Sequence, residues 1–215
     1  MEKIHLHNAI PEVFAAIEPP KPSELWGSEV TFTKGERYLL QASSGDGKSS
    51  LCSYIYGYRN DYRGSIAFDT LDISLFREKR WVDIRKKHIS ILFQDLRLFD
   101  ELPALENVML KNAITRFKTR KEIISLFEAL SIGDKLHSKV GKLSWGQKQR
   151  VAFIRALCQP FDFIILDEPI SHLDADNSAT LSSLLTSELQ AQGAGAIVTT
   201  VGSDLKLDYC KTIRL

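Results

Sequence analysis

The sequence predicts a mixed α/β fold, on three observations. Short β-branched and aromatic runs alternate with longer stretches of helical periodicity. Two of the short runs, Ile89-Ser90-Ile91-Leu92-Phe93 and Phe163-Ile164-Ile165-Leu166, are almost unbroken in apolar residues, as strands covered on both faces of a parallel sheet are. A mainly helical stretch, about residues 98–158, interrupts the alternation. One domain spanning residues 1–215, with a mixed sheet core and an inserted helical subdomain, is the expected organisation.

In chain order the expected strands are Ile4–Asn8, Glu29–Thr33, Arg37–Gln41, Ser65–Phe68, Ile89–Phe93, Phe161–Asp167, Ala196–Thr200 and Thr212–Leu215. Helical spacing is plainest over Arg120–Leu130, Gln147–Cys158 and Ala179–Gln190. The Pro-rich piece Glu18–Ser23 reads as a surface connection. Internal repeats and low-complexity tracts are absent from the sequence.

Composition narrows the class. The chain has 215 residues, enough for one sizeable core, and its 44% hydrophobic and 26% charged fractions are those of a folded protein. A net charge of +1 argues against a strongly basic nucleic-acid binder, and no nucleic-acid partner is expected. Cys52, Cys158 and Cys210 are scattered without C-x-x-C spacing, so they read as small hydrophobic residues in a reducing compartment. No apolar run reaches the roughly 18 residues of a membrane span, and the start, Met1–His7, lacks the apolar stretch of a signal peptide. A cytoplasmic location follows as the expectation.

The chemistry begins where Arg37–Gln41 runs into Ala42-Ser43-Ser44-Gly45-Asp46-Gly47-Lys48-Ser49-Ser50, with a helical start at Leu51. Strand, glycine-bearing loop, Lys-Ser and helix form the context of a phosphate-binding P-loop. Loop N–H groups and the helix N-terminus would converge on one anion. Gly45 and Gly47 would let the backbone approach phosphate oxygens, Lys48 would neutralise β/γ charge, and the Ser49 hydroxyl would ligate Mg²⁺. The first glycine of G-x-x-x-x-G-K-[ST] is Ala42 here, a change of one methyl. Downstream, the apolar run Phe161–Leu166 ends in Asp167-Glu168. The first carboxylate can hold Mg²⁺ and the second can polarise an attacking water.

Leu143-Ser144-Trp145-Gly146-Gln147 lies just before that acidic strand, and the whole chain resembles the ATP-binding cassette (ABC) ATPases, whose signature reads L-S-G-G-Q. Gln94, after Ile89–Phe93, resembles the Q-loop glutamine, and Ser171-His172-Leu173-Asp174 the D-loop. The stretch Leu98–Val108 is similar to that of lipoprotein-release and macrolide-export cassettes. The resemblance implies a P-loop NTPase fold. It implies ATP and Mg²⁺ as ligands, and Ser49, Gln94 and Asp167 as metal-binding positions. Glu168 would activate water, and Ser144, Gly146 and Gln147 would meet the γ-phosphate held by the P-loop of a second copy, or of another cassette. Asp174 would link the two sites. Separate membrane-spanning subunits complete the implied assembly, with the chain peripheral at the inner face of the membrane.

Ser144 and Gln147 also have the spacing of a capping box, which opens a helix with or without an anion role. Trp145 fills the more permissive signature position. At the place where the family carries a histidine that contacts the γ-phosphate, the sequence has Thr200, in Val198-Thr199-Thr200-Val201-Gly202-Ser203. A hydroxyl can bond a phosphate oxygen but cannot carry an imidazolium's charge; a positioned group of this kind can matter by roughly 10²–10³ in rate. Slow turnover, or a degenerate cassette that dimerises on ATP and regulates or scaffolds a membrane complex, is the alternative expectation. Phe14 is the candidate adenine-stacking ring, with Trp26 and Tyr38 behind it. His172 reads as a surface residue. The basic clusters Arg77–His88 and Arg116–Lys121 read as solvated helix faces, or as faces toward anionic lipid or a partner. Only about fifty residues without heptads separate Gln94 from Ser144, which excludes the long coiled coil of chromosome-organising relatives.

Overall fold

Backbone pairing sorts the strands into an antiparallel and a parallel sheet. The computed structural model describes residues 1–17 and 22–215; residues 18–21 of the Pro-rich connection Glu18–Ser23 lie outside the described residues. The elements are β1 (Lys3–Pro11), α1 (Glu12–Ala15), β2 (Glu29–Thr33), β3 (Arg37–Gln41), α2 (Lys48–Ile55), β4 (Tyr62–Phe68), β5 (Leu71–Asp72), α3 (Glu78–Lys87), β6 (Ile89–Leu92) and α4 (Ala104–Asn112). They continue with α5 (Arg120–Ala129), α6 (Trp145–Leu157), β7 (Phe163–Asp167), α7 (Ala175–Gln192), β8 (Gly195–Thr200) and β9 (Lys211–Arg214). The antiparallel sheet has the order β2-β1-β4-β5, and the parallel sheet the order β6-β7-β8-β3-β9.

The near-continuous apolar strands behave as their composition dictates. On β7, Ile164 and Leu166 join one core with the insertion helices, through Val108, Phe127 and Phe153, while Phe163 and Ile165 join a second core with α2 and the antiparallel sheet, through Leu51, Ile4 and Ile66. Alternate residues of β3 and β8 divide in the same way: Leu39 and Val198 to the first core, Leu40 and Ile197 to the second. Each strand is thus sandwiched, and period-2 alternation with polar residues has no solvent face to serve.

Sheet topology positions the site. All five strands of the second sheet run parallel, so the segments leaving β3, β6, β7 and β8 emerge at one edge. In open α/β sheets ligands bind outside the carboxyl ends of the strands. β8 lies between β3 and β7, with Thr199 registered against Leu40 on one side and Asp167 on the other.

Several elements depart from the sequence reading. α7 begins at Ala175, not Ala179, because the Asp174 side chain caps it by accepting the Asn177 N–H at 2.8 Å. α3 falls inside the basic cluster Arg77–His88 and buries only Ile84, so it carries no apolar stripe to read. α5 starts at a capping box of Thr119 and Glu122. Cys52 and Cys158 are buried as expected of small hydrophobic residues, but Cys210 is exposed.

Candidate functional site: a phosphate loop facing two carboxylates

The loop between β3 and α2 is held open by local backbone chemistry. Gly45 and Gly47 adopt φ of +89° and +94°, in the left-handed region that side chains disfavour. Gly47 also lies under aromatic rings, since a Cβ there would stand 2.8 Å from Phe14 Cε2 and 3.0 Å from Trp26 Cζ2. The Trp26 indole N–H donates to the Asp46 carbonyl at 2.9 Å, and Asp46 Oδ2 accepts the Ser43 N–H at 3.0 Å. α2 then begins at Lys48, presenting its positive end to the loop.

Lys48 is 4% exposed. Its ammonium donates to the Ala42 and Ser43 carbonyls at 3.1 and 2.9 Å and lies 3.6 Å from Glu168 Oε1. A cation held by backbone oxygens in front of a glycine loop is placed to meet a further anion. Ser49 Oγ donates to Gln94 Oε1 at 3.3 Å, and Gln94 Nε2 donates to Glu168 Oε2 at 3.4 Å. Loop, Gln94 and acidic strand end therefore form one chain of polar contacts. Ser50 does not join it; its hydroxyl accepts from Arg59 Nη1 at 3.0 Å.

Asp167 and Glu168 follow β7. Asp167 is 4% exposed and its Oδ1 accepts the Thr199 hydroxyl proton at 2.6 Å. Glu168 has φ +51°, unusual for a residue with a side chain. Its N–H donates to Thr199 Oγ1 at 3.2 Å and its carbonyl accepts from Gln149 Nε2 at 3.1 Å. Ser49 Oγ, Gln94 Oε1 and the Asp167 carboxylate are hard oxygen donors, and the described residues contain no group of three or more His, Cys, Asp and Glu side chains that could cage a metal. Such a donor set fits Mg²⁺, which keeps waters and substrate phosphate oxygens in its shell.

Thr200 closes β8 at the same edge, but its hydroxyl is committed. It donates to the Ser203 carbonyl at 2.6 Å and accepts the Gly202 N–H at 3.1 Å. Thr200, Glu168, Ser171, Asp174, Ser203 and Lys206 border a cavity of about 610 Å³. Phe14 and Trp26 line a smaller one of about 300 Å³ beside Asp46. Tyr38 belongs to neither: it is buried in the second core, its hydroxyl accepting the Thr33 N–H, so it is no adenine-stacking candidate.

Among the described residues no hydrogen bond joins the Ser144 region to the loop. Ser144 Oγ accepts the Gln147 N–H at 3.3 Å and Gln147 Oε1 accepts the Ser144 N–H at 2.9 Å, a complete capping box at the start of α6. Gly146 packs under the segment after β7; a Cβ there would come within 3.0 Å of the His172 carbonyl. Trp145, 45% exposed, meets the His172 ring edge-on at 5.5 Å between centroids. His172 is thus an exposed residue with an aromatic neighbour. Asp174 caps α7, and the Asn177 N–H and amide hold its carboxyl below the ordinary range.

Comparison with known proteins fits this geometry. The sequence profile of the family described as "ABC transporter" matches residues 25–171, from Leu25 before β2 through the loop, Gln94, Ser144 and Glu168. The chain belongs to the ABC transporter family of ATP-binding cassettes. YvrO of Bacillus subtilis (strain 168), an ABC transporter ATP-binding protein, is 33% identical over 86% of this chain and 81% of its own. LolD of Psychrobacter arcticus, the ATP-binding protein of a lipoprotein-releasing system, is 31% identical over 78% of this chain and 75% of its own. The dimeric structure of the bacterial cassette MJ0796 superposes with a TM-score of 0.78 at 25% identity, over 93% of this chain and 88% of that one. A second dimeric MJ0796 structure, in a post-hydrolysis state with ADP and phosphate, gives 0.75 at 25% identity over 92% and 87%. The fold is therefore that of a P-loop ABC ATPase. ATP binding and hydrolysis in ATP-driven transport are the cassette's activity at the level of its family. Among its described residues no helix is long and apolar enough to cross a membrane.

The sequence reading missed Thr199 and Gln149, which hold the Glu168 backbone together with Ser171, whose hydroxyl donates to the Glu168 carbonyl at 3.4 Å. Spacing along the chain carries no sign of either, because Thr199 meets Asp167 only through the β7–β8 register.

Proposed function

We propose that the cassette hydrolyses Mg-ATP between two copies of itself and drives transport through separate membrane-spanning subunits at the inner face of the membrane. The observation that carries this is the contact chain Ser49–Gln94–Glu168–Lys48 at the carboxyl edge of the parallel sheet. The loop from Ala42 to Ser49 and the α2 N-terminus receive the phosphates, and Lys48 neutralises their charge. Mg²⁺, when bound by Ser49, Gln94 and Asp167, offsets the charge that develops on the phosphate oxygens. Glu168 takes a proton from the attacking water. Phe14, beside Gly47, stacks on the base.

The capping-box helix supports the two-copy arrangement. Ser144 at the start of this helix is exposed, and among the described residues no hydrogen bond joins Ser144, Gly146 or Gln147 to the loop of their own chain. A two-fold dimer would bring this helix start to the partner's phosphate, and the dimeric state of the similar cassette MJ0796 supports a paired arrangement. The likeness to LolD, the ATP-binding protein of a lipoprotein-releasing system, supports membrane-spanning subunits as partners. The test is light scattering on Glu168→Gln. We expect a dimer with ATP and a monomer without it, and Lys48→Ala should remove nucleotide binding. A Glu168→Gln chain that stays monomeric at saturating ATP refutes the paired site, and unchanged binding by Lys48→Ala refutes the phosphate assignment.

The commitment of the Thr200 hydroxyl to Ser203 favours a second reading, a cassette of low turnover that dimerises on ATP and regulates or scaffolds a membrane complex. With its proton given to a backbone carbonyl, Thr200 has none to offer a phosphate.

A further inference from the structure

We propose that Thr199 is the positioning residue that sets both acidic side chains of the site, fixing Asp167 toward the metal and Glu168 toward the water. The inference rests on the nucleotide reading above. A threonine hydroxyl has one proton and can accept in addition. At Thr199 both capacities are used on the acidic pair: Oγ1 accepts the Glu168 N–H at 3.2 Å and donates to Asp167 Oδ1 at 2.6 Å. The Glu168 N–H can only donate, so it meets a lone pair of Oγ1, and the hydroxyl proton is directed to the accepting carboxylate oxygen. That leaves Asp167 Oδ2 as the oxygen without this commitment.

The environment argues against a merely space-filling role. Thr199 is 0% exposed, on a strand whose preceding residues Ala196, Ile197 and Val198 are apolar and buried. A hydroxyl buried to that degree is costly unless it is paired, and valine would fill the same space. The position is also fixed from both sides, by Leu40 on β3 and Asp167 on β7. Since β3 leads into the phosphate loop, Thr199 spans the gap between loop strand and acidic strand.

Glu168 needs such a hold. Its left-handed backbone is costly for a residue with a side chain and persists only where the surroundings dictate it. Thr199 takes the N–H of this residue, and Gln149 and Ser171 the carbonyl. Losing Thr199 alone therefore frees one side of the residue, while α6 still holds the other. Partners of metal ligands typically affect metal affinity or activity by roughly 10–100-fold.

The experiment compares Thr199→Val and Thr199→Ser with the unaltered chain, using ATP and Mg²⁺ as probes. Three quantities are read: amide hydrogen exchange at Glu168 without nucleotide, ATP binding in EDTA, and the Mg²⁺ concentration that half-saturates Mg-dependent ATP binding. Thr199→Val should speed exchange at the Glu168 amide, leave ATP binding in EDTA unchanged and raise the half-saturating Mg²⁺ roughly 10–100-fold. Thr199→Ser should restore all three. Should the valine variant not fold, Thr199→Ala, which is smaller than the native residue, carries the same comparison. A folded variant without the hydroxyl that keeps native Mg²⁺ dependence overturns the inference and leaves the nucleotide reading intact. An unaltered chain that shows no Mg-dependent ATP binding overturns both.

Discussion

Gly45 and Gly47 permit a controlled measurement of what the aromatic lid over the phosphate loop imposes. Both have φ near +90°, so alanine at either carries a left-handed backbone cost of about 1–2 kcal/mol. Their surroundings differ. No heavy atom lies within 4 Å of a Cβ at Gly45, whereas one at Gly47 meets Phe14 Cε2 at 2.8 Å and two Trp26 ring atoms at 3.0 and 3.2 Å. Overpacking of this kind costs about 1–3 kcal/mol. Gly45→Ala should therefore lose about 1–2 kcal/mol by backbone cost alone, and Gly47→Ala a further 1–3 kcal/mol or so. Equilibrium urea unfolding reads both losses from the shift in midpoint at constant slope. Repeating the pair in a Phe14→Ala background removes the closest contact, so the gap between the two variants should shrink, with the Trp26 share left. Equal losses at Gly45 and Gly47, or a gap indifferent to Phe14, would refute the packing argument.

Further outcomes follow from other contacts. Asp162 accepts from Lys34 Nζ and His88 Nδ1 at 2.5 Å and from the Met1 amine at 2.9 Å, with Glu2 and Asp83 the acidic neighbours of this group. Burial pushes its carboxyl up, but the bonds from Lys34, the Met1 amine and His88 outweigh that and hold it below the ordinary range. Asp162→Asn should cost roughly 2–4 kcal/mol at pH 7, given the 3–5 kcal/mol typical of breaking a buried pair. A lowered carboxyl contributes stability above its unfolded pKa of about 3.9 and loses it as pH falls through the folded value. The unfolding curves of the two proteins should accordingly converge below pH 4; a gap that persists there would count against the charge assignment. Thr200→His should raise phosphate release many-fold if the native chain is tuned to slow turnover, and an unchanged rate removes the main support for the low-turnover reading.

The parts of this fold legible in the sequence are those whose determinants are local. β7 announces itself because both its faces are buried, and α6 because Ser144 and Gln147 are three residues apart in a reciprocal cap. The glycine loop is legible for the same reason, since φ near +90° demands glycine at Gly45 and Gly47. What stayed hidden depends on partners distant in the chain. α3 buries one residue and shows no periodic stripe, and β5 is two residues long, set only by its pairing with β4. The role of Phe14 as a neighbour of Gly47, 33 positions away, comes from packing. Thr199 shows the limit most sharply. The nearest acidic residue in sequence, Asp204, is not its partner; β8 falls beside β7 and sets its hydroxyl on Asp167.

α6 has a mechanical consequence. Its first turn carries Ser144 and Gly146, the latter seated under the His172 carbonyl, and little more than one turn later Gln149 grips the Glu168 carbonyl. Arg150 next to it bonds the Leu130 carbonyl and Asn177 Oδ1, tying the same rod to the end of α5 and the start of α7. At 1.5 Å of rise per residue these attachments fall within about 9 Å of helix axis, too short a span to bend appreciably. The start of α6 at Ser144 and the side chain that bonds the Glu168 carbonyl therefore sit on one short, stiff segment of helix.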